Sequence, residues 1–363
     1  MAKAITDELE DWAVVDKTLP PENRGLLIGN GASIAMWPHF RYSSLYEMAK
    51  DASKPDHLDD IEVKVFTKLE TQNFESVLSS MITAGQVWGI YGKPSADIDD
   101  LRKSYSRVRR SLIRAVKEVH VPFEKVGEDL KSHLRDVFAK YSYVYSTNYD
   151  LLLYWAMMKD GKQFKDFVWG RDPDRQRNVF DVSDTDLWDQ DKPVTKVLFL
   201  HGALHLYKNK DGRTFKKLSG EDGSLLDLFD VQGDAVPLFI SEGTSKDKLS
   251  AITRNDYLTF AYQRFSKHRG ALVVFGHSLT PEYDQHLLDA MRKWKRYDQQ
   301  RMPFQRVPPR RVVAISVRPG GDPHTVIDTK SRLTKALPDY DLRFFDSRTH
   351  PLGQDGLQIA EDG

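Results

Sequence analysis

Short apolar runs recur along this chain, and most of them end at a glycine or a polar motif. The first is Gly25–Gly29, Gly-Leu-Leu-Ile-Gly, which passes straight into a glycine loop. A run with no polar alternation suits a strand buried on both faces of a parallel sheet. Similar runs lie at Tyr143–Ser146, Lys196–Leu200, Pro237–Ser241, Ala271–Phe275, Arg311–Val317 and Leu342–Phe345. Helical patterns separate several of them, notably Asp150–Met158, Asn255–Lys267 and Pro281–Tyr297. Apolar strands alternating with helices predict an α/β fold with a Rossmann-like, doubly wound parallel sheet.

The gap between the first two strands is long and helical in pattern. From about Ser43 to Ala139 the sequence is polar, with apolar residues at helical spacing: Phe74, Val77, Leu78 and Met81, then Leu101, Tyr105, Val108, Leu112 and Val116. This predicts a helical insertion after the first strand, about 43–139. The expected organisation is one domain over 1–363, with its Rossmann-like core at about 24–42 and 140–347. The acidic stretch Asp172–Lys192 reads as a loop or lid. From about Arg348 the chain is Gly-rich and predicts a frayed end.

Composition narrows the chemistry. Hydrophobic residues make up 40% of the 363 and charged residues 29%, enough for a real core and a solvated surface. The formal net charge is +0, so nothing demands nucleic acid or an acidic membrane as the main partner. There are no cysteines, which excludes disulfides, iron–sulfur clusters, cysteine-rich zinc sites and a thiol nucleophile. No apolar run approaches the about 20 residues that span a bilayer. Met1–Trp12 carries four acidic residues and no apolar core, unlike a signal peptide. A cytoplasmic protein with no membrane partner is expected.

Two basic clusters stand out against the neutral total. Arg102–Lys117 shares a helix with the apolar stripe, so its charges should form the solvated face. Arg292–Arg311 contains Trp294 and Tyr297, a pattern compatible with nucleic acid, although an exposed helix end with a Pro-containing connector explains it better. Direct nucleic-acid binding is therefore not expected. Gly243–Lys248 looks phosphate-friendly but lacks the P-loop pattern, and Lys246 and Lys248 read as a solvated loop.

Three motifs at strand ends carry the candidate chemistry: Gly29-Asn-Gly-Ala-Ser33, Ser146-Thr-Asn-Tyr-Asp150 and Leu200-His-Gly202. Open α/β folds bind nucleotides at that edge of the sheet. Gly29 and Gly31 allow a tight turn and close approach to a pyrophosphate, with free N–H groups following and Ser33 as a further donor. A third glycine of the dehydrogenase fingerprint is missing, since Ile34 stands in its place. Asn148 can hold a water or a ribose hydroxyl. Asp150 either caps the next helix or orients Asn148. His201 is placed for proton transfer at neutral pH, or else bonds a nearby carbonyl as a structural histidine.

Taken in order, these motifs resemble those of the sirtuin superfamily. Gly29–Ser33 resembles its first glycine motif, with Phe40-Arg41 near the family's Phe-Arg pair. Ser146–Asp150 resembles its Thr-Gln-Asn-Ile-Asp segment, and His201-Gly202 its catalytic His-Gly. Phe275-Gly-His-Ser-Leu279 resembles the Gly-Thr-Ser-Leu turn that touches phosphates. Ala314-Ile-Ser-Val317 falls where the last NAD-binding strand would end. The resemblance spans about residues 24–320. It implies Asn148 and His201 as the catalytic pair, assisted by Asp150. It implies cofactor contacts at Gly29, Gly31, Ala32, Ser33, Gly276, Ser278 and Ser316.

Deacylating sirtuins carry four zinc-binding cysteines between the His-Gly and Gly-Thr-Ser motifs, and this chain has none. The match is closer to the bacterial sirtuin-like proteins of antiviral defence, which hydrolyse NAD. The resemblance thus implies NAD as substrate, no metal, and release of nicotinamide and ADP-ribose. It also implies activation by a protein partner in a defence system, with homo-oligomerisation open. A zinc-free NAD-dependent deacylase and a non-catalytic NAD or ADP-ribose sensor are the rival readings.

Overall fold

In the computed structural model, residues 5–41, 45–171, 177–182, 194–208, 212–218, 236–240, 244–301, 311–320 and 322–360 are described. The strands are β1 Gly25–Ile28, β2 Tyr143–Ser146, β3 Phe164–Lys165, β4 Gly170–Arg171, β5 Arg177–Val179, β6 Thr195–Phe199, β7 Gly202–Lys208, β8 Thr214–Lys216, β9 Val236–Phe239, β10 Leu272–Phe275, β11 Val312–Val317 and β12 Asp341–Asp346. The helices are α1 Trp12–Asp16, α2 Asn30–Met36, α3 Leu45–Ala49, α4 Asp60–Lys68, α5 Phe74–Ile90, α6 Ser95–Val119, α7 Glu128–Phe138, α8 Leu152–Met158, α9 Ser245–Thr253, α10 Asp256–Ser266, α11 Pro281–Arg301 and α12 Pro323–Ala336.

Seven strands form one all-parallel sheet in the order β12-β11-β10-β1-β2-β6-β3, flanked by helices. All four residues of β1 are buried, as its unbroken apolar run requires of a central strand. From β1 the chain adds β2 beside it and β3 at the edge, β6 fills the place between them, and the chain then returns to the other side of β1 with β10, β11 and β12. The order reverses at β1 and β10, the switch point where open α/β sheets keep their ligand crevice. The Rossmann-like parallel α/β architecture expected from the sequence is the observed one.

Helices α3–α7 make up the insertion between β1 and β2. Phe74, Val77, Leu78 and Met81 of α5 and Val108, Leu112 and Val116 of α6 are buried, as their spacing predicts. The basic residues of α6 pair within the insertion: Arg107 with Asp59, Arg110 Nε with Asp56 at 2.8 Å, and Arg114 Nη1 with Glu118 at 3.0 Å.

Three features depart from the expected pattern. Val236–Phe239 does not extend the parallel sheet. It pairs with β7 in a second, antiparallel sheet of order β4-β5-β8-β7-β9. Period and burial cannot tell a strand of one sheet from a strand of another. A fully buried ion pair links the two sheets: Lys216 Nζ of β8 lies 2.8 Å from Asp166 Oδ2, just past β3, with side chains 0% and 1% exposed. The C-terminal segment is packed rather than frayed. His350 and Leu352 are buried, and the Ile359 N–H donates to Met36 O at 2.8 Å. Gly353 serves a close contact, since a Cβ there would sit 2.0 Å from Ser347 O, whereas one on Gly356 would meet nothing within 4 Å. The Asp172–Lys192 lid falls mostly outside the described residues, as do 302–310 of the Arg292–Arg311 cluster. Among the described residues no helix is long and apolar enough to cross a membrane.

Burial holds several histidines neutral. Desolvation lowers His120 and His268 to about 4, and His205 and His350 to about 3. Below the ordinary histidine value near 6.5 the unfolded chain takes up protons that the native protein refuses, so stability is complete above that pH and falls as the solution is acidified. Each such histidine costs about 2 kcal/mol at pH 5. Urea unfolding is expected to show stability several kcal/mol lower at pH 5 than at pH 7.5. Equal stability at the two values would contradict this account.

Candidate active site at the carboxyl edge of the sheet

Ile28, Phe275 and Ser146 share one register row, and Ser146 pairs with Phe199. The loops that follow these four strand ends therefore emerge side by side. They carry Gly29–Ser33, Gly276–Leu279, Asn148–Asp150 and His201. Asn148 and His201 each stand two residues beyond paired positions on adjacent strands.

The two glycine loops touch backbone to backbone. Gly31 N donates to Gly276 O at 2.8 Å, and Gly29 N to Phe275 O at 2.9 Å. A Cβ on Gly31 would lie 2.8 Å from Gly276 O, and one on Gly276 only 2.3 Å from Ala32 N. Gly276 also has φ +65, which favours glycine. Gly276 N donates to Ser316 Oγ at 3.0 Å, so Ser316 braces the second loop. The expectation of free N–H groups after the first loop needs correcting. The N–H of Gly31 is spent on Gly276, and that of Ala32 on Gly29 O at 2.9 Å. The first of these bonds is tertiary and the second a local turn. Ser278 is exposed, and its carbonyl accepts from Arg332 Nη2 at 2.8 Å.

A buried network joins the first loop to the end of β2. Asn148 Nδ2 donates to Gly29 O at 3.1 Å and to Ser33 Oγ at 2.7 Å. Ser33 Oγ in turn donates to Asp150 Oδ2 at 2.5 Å. Asp150 Oδ1 accepts from Leu152 N at 2.9 Å, so Asp150 caps α8 while fastening Asn148 through Ser33. The Gly29 carbonyl can only accept, so the amide must turn its NH2 rather than its oxygen toward it. Among the described residues the buried Asn148 Oδ1 has no hydrogen-bond partner and remains an open acceptor. Burial pushes the Asp150 carboxyl up, opposed by the Ser33 hydroxyl and the Leu152 N–H. His120, at the end of α6, supports the same loop by accepting from Leu151 N at 3.0 Å.

His201 sits at the bend where the chain leaves β6 and enters the second sheet. Gly202 makes that bend with φ +75, and a Cβ there would meet Leu238 O at 2.1 Å. The His201 carbonyl accepts from Ile240 N at 2.7 Å, and its Nε2 lies 2.9 Å from His286 Nε2. His286 Nδ1 lies 3.0 Å from Ser245 Oγ. Burial, reinforced by His286, Lys248 and His277, holds His201 well below the ordinary histidine value. His205, four residues on, is buried between Tyr154 and Phe199 at ring-centroid distances of 4.4 and 4.7 Å.

The structure adds His286, Ser245, His277, Asp284 and Lys248 to the residues read from the sequence. Lys248 belongs to no solvated loop. Thr244 caps α9 reciprocally with Asp247, and Lys248 Nζ lies 3.5 Å from Asp284 Oδ1 with its side chain 13% exposed. The Thr244-Ser-Lys-Asp247 capping box ahead of Leu249 and Ile252 was the available signal. His286 had a weaker one, a histidine beside the apolar pair Leu287-Leu288.

Fold and site define a parallel α/β protein with a polar centre at the carboxyl edge of its sheet, beside the switch point. Within that class, the chain belongs to the family described as Domain of unknown function (DUF4917), whose profile matches residues 26–349. No curated protein matches it.

The glycine contact makes a direct prediction. Gly276→Ala is expected to lose at least about 1–3 kcal/mol from its left-handed backbone alone. Gly89→Ala, on open surface within α5, should leave stability equal or raise it by up to about 1 kcal/mol. Urea midpoints of the two variants test this, and equal midpoints would refute it.

Proposed function

We propose that this protein binds NAD at the carboxyl edge of its sheet and hydrolyses the nicotinamide–ribose bond. The observation that carries this reading is Asn148: buried, held by two donated hydrogen bonds, and presenting an unpaired acceptor two residues past a strand end paired with that of His201. Such an acceptor fits a ribose hydroxyl or a water. The ordered resemblance to sirtuin motifs supports NAD as the ligand, and the missing cysteines favour hydrolysis over zinc-containing deacylation.

In the proposed reaction the C1′–nitrogen bond of the ribose breaks, and nicotinamide leaves neutral with the bonding pair. Water adds to the resulting oxocarbenium-like carbon and gives up a proton, forming ADP-ribose. Asn148 Oδ1 positions the water or a ribose hydroxyl. His201, kept neutral by burial, accepts the proton directly or through a ribose hydroxyl. Asp150 and Ser33 hold Asn148 in place. The diphosphate takes its donors elsewhere than the Gly31 and Ala32 N–H groups, which are already paired. An enzyme that drains NAD must be restrained until needed, which suits activation by a protein partner in antiviral defence.

The test measures nicotinamide and ADP-ribose, both from the purified chain with NAD and in cells producing it. Nicotinamide release is expected in at least one setting, with Asn148→Ala and His201→Ala each lowering it about 100-fold or more. Bound NAD that stays intact in both settings would overturn hydrolysis and favour a sensor. Release unchanged in both variants would overturn the site.

A further inference from the structure

Ser245, His286 and His201 form a hydrogen-bonded chain from three separate elements: the first turn of α9, the body of α11 and the bend after β6. All three are buried, at 8%, 1% and 3% exposure. Two imidazole nitrogens 2.9 Å apart must share one proton. Two N–H groups would repel, and two lone pairs would leave the contact unbonded. The Ser245 hydroxyl faces the far side of His286, and its oxygen already accepts the His286 backbone N–H at 2.7 Å.

We infer that His286, seated on Ser245, is a positioning residue that dictates which nitrogen of His201 carries the proton. Two arrangements satisfy the chain. In one, Ser245 donates to His286 Nδ1, His286 Nε2–H donates to His201 Nε2, and His201 is protonated on Nδ1. In that state neither ring nitrogen of His201 is open to a substrate proton. In the other, His201 Nε2–H donates to His286 Nε2, and His286 Nδ1–H donates to Ser245 Oγ. Then His201 Nδ1 keeps its lone pair. Only the second arrangement makes His201 a base, a consequence that rests on the NAD-hydrolase reading. When Nδ1 takes up the proton from water, the Nε2–H remains on its acceptor, and the positive charge is shared with His286.

The groups around the chain bear on this charge. Lys248 of α9 and His277 at the end of β10 oppose a cation on either ring. Asp284 and Asp289 of α11 favour one on His286. Asp284 lies 3.5 Å from Lys248 Nζ and 3.8 Å from His277 Nδ1. Tyr262 of α10 fixes the backbone by donating its hydroxyl to His286 O at 2.8 Å.

The proton's place can be read without substrate. In wild-type protein labelled with nitrogen-15 on histidine, NMR should show a coupling across the N–H···N contact of His201 and His286. The proton should be directly bonded to His201 Nε2. A proton on His286 Nε2, or no coupling, overturns the inference whether or not NAD is cleaved. In the activity arm, His286→Leu should lower kcat about 100-fold with KM unchanged. His286→Gln, whose carbonyl oxygen still accepts the His201 N–H, should recover much of that loss with a displaced pH profile. Equal activity of wild type and His286→Leu would overturn the positioning role. No cleavage by wild type would count against the NAD reading alone.

Discussion

The contact on which the site depends is the meeting of two bare backbones, Gly31 against the Gly276 carbonyl, at the switch point of the sheet. It joins the loops after β1 and β10 with no side chain between them. Once those loops are fixed, Gly29 O is in place to receive Asn148, and Ser33 stands between Asn148 and Asp150. The side chains of Ser33, Asn148 and Asp150 are buried, so each lost partner there would leave a desolvated donor or acceptor. Asn148 Oδ1, left unmatched among the described residues, therefore stands out as a ligand position.

A second constraint acts from the other side. The antiparallel sheet enters the fold directly after β6, and Gly202 makes the bend that places His201 at its root. The sheet is held to the parallel core by the buried Lys216–Asp166 pair. Desolvation offsets most of the Coulomb gain of such a pair, but removing one partner would leave the other charge buried and uncompensated. Its placement serves the site: any slip of the second sheet would move His201 away from His286. The candidate centre thus has two halves. One is an amide network rooted in β1 and β2, and the other a proton chain rooted in β6, α9 and α11.

Much of this was legible beforehand because strand ends and glycine loops leave local marks. The runs at Gly25, Tyr143, Lys196, Ala271, Arg311 and Leu342 announce six strands of the parallel sheet, and the Asn, His and glycine motifs fall at the carboxyl ends of their strands as expected. The apolar stripes of α5 and α6 are legible because helical burial repeats with a fixed period. What the sequence conceals lacks a period. The run at Pro237 looks like any buried strand, and nothing local says which sheet it joins. The capping box at Thr244 was present but masked by a phosphate-like composition. His286 is one of 11 histidines, with no neighbouring motif to single it out.

By itself the sequence determined the fold class, the helical insertion and which motifs stand at the sheet's carboxyl edge. These follow from residue periodicity and from glycine's freedom to turn, both properties of short segments. Only the tertiary structure decided how those motifs engage one another. It showed that the Gly31 N–H is consumed by the Gly276 carbonyl, that Asn148 keeps one acceptor open among the described residues, and that His201 meets His286, which in turn meets Ser245. The physical reason is that a hydrogen bond depends on atoms within about 3 Å, and residues far apart in the chain reach that distance only once the core has packed.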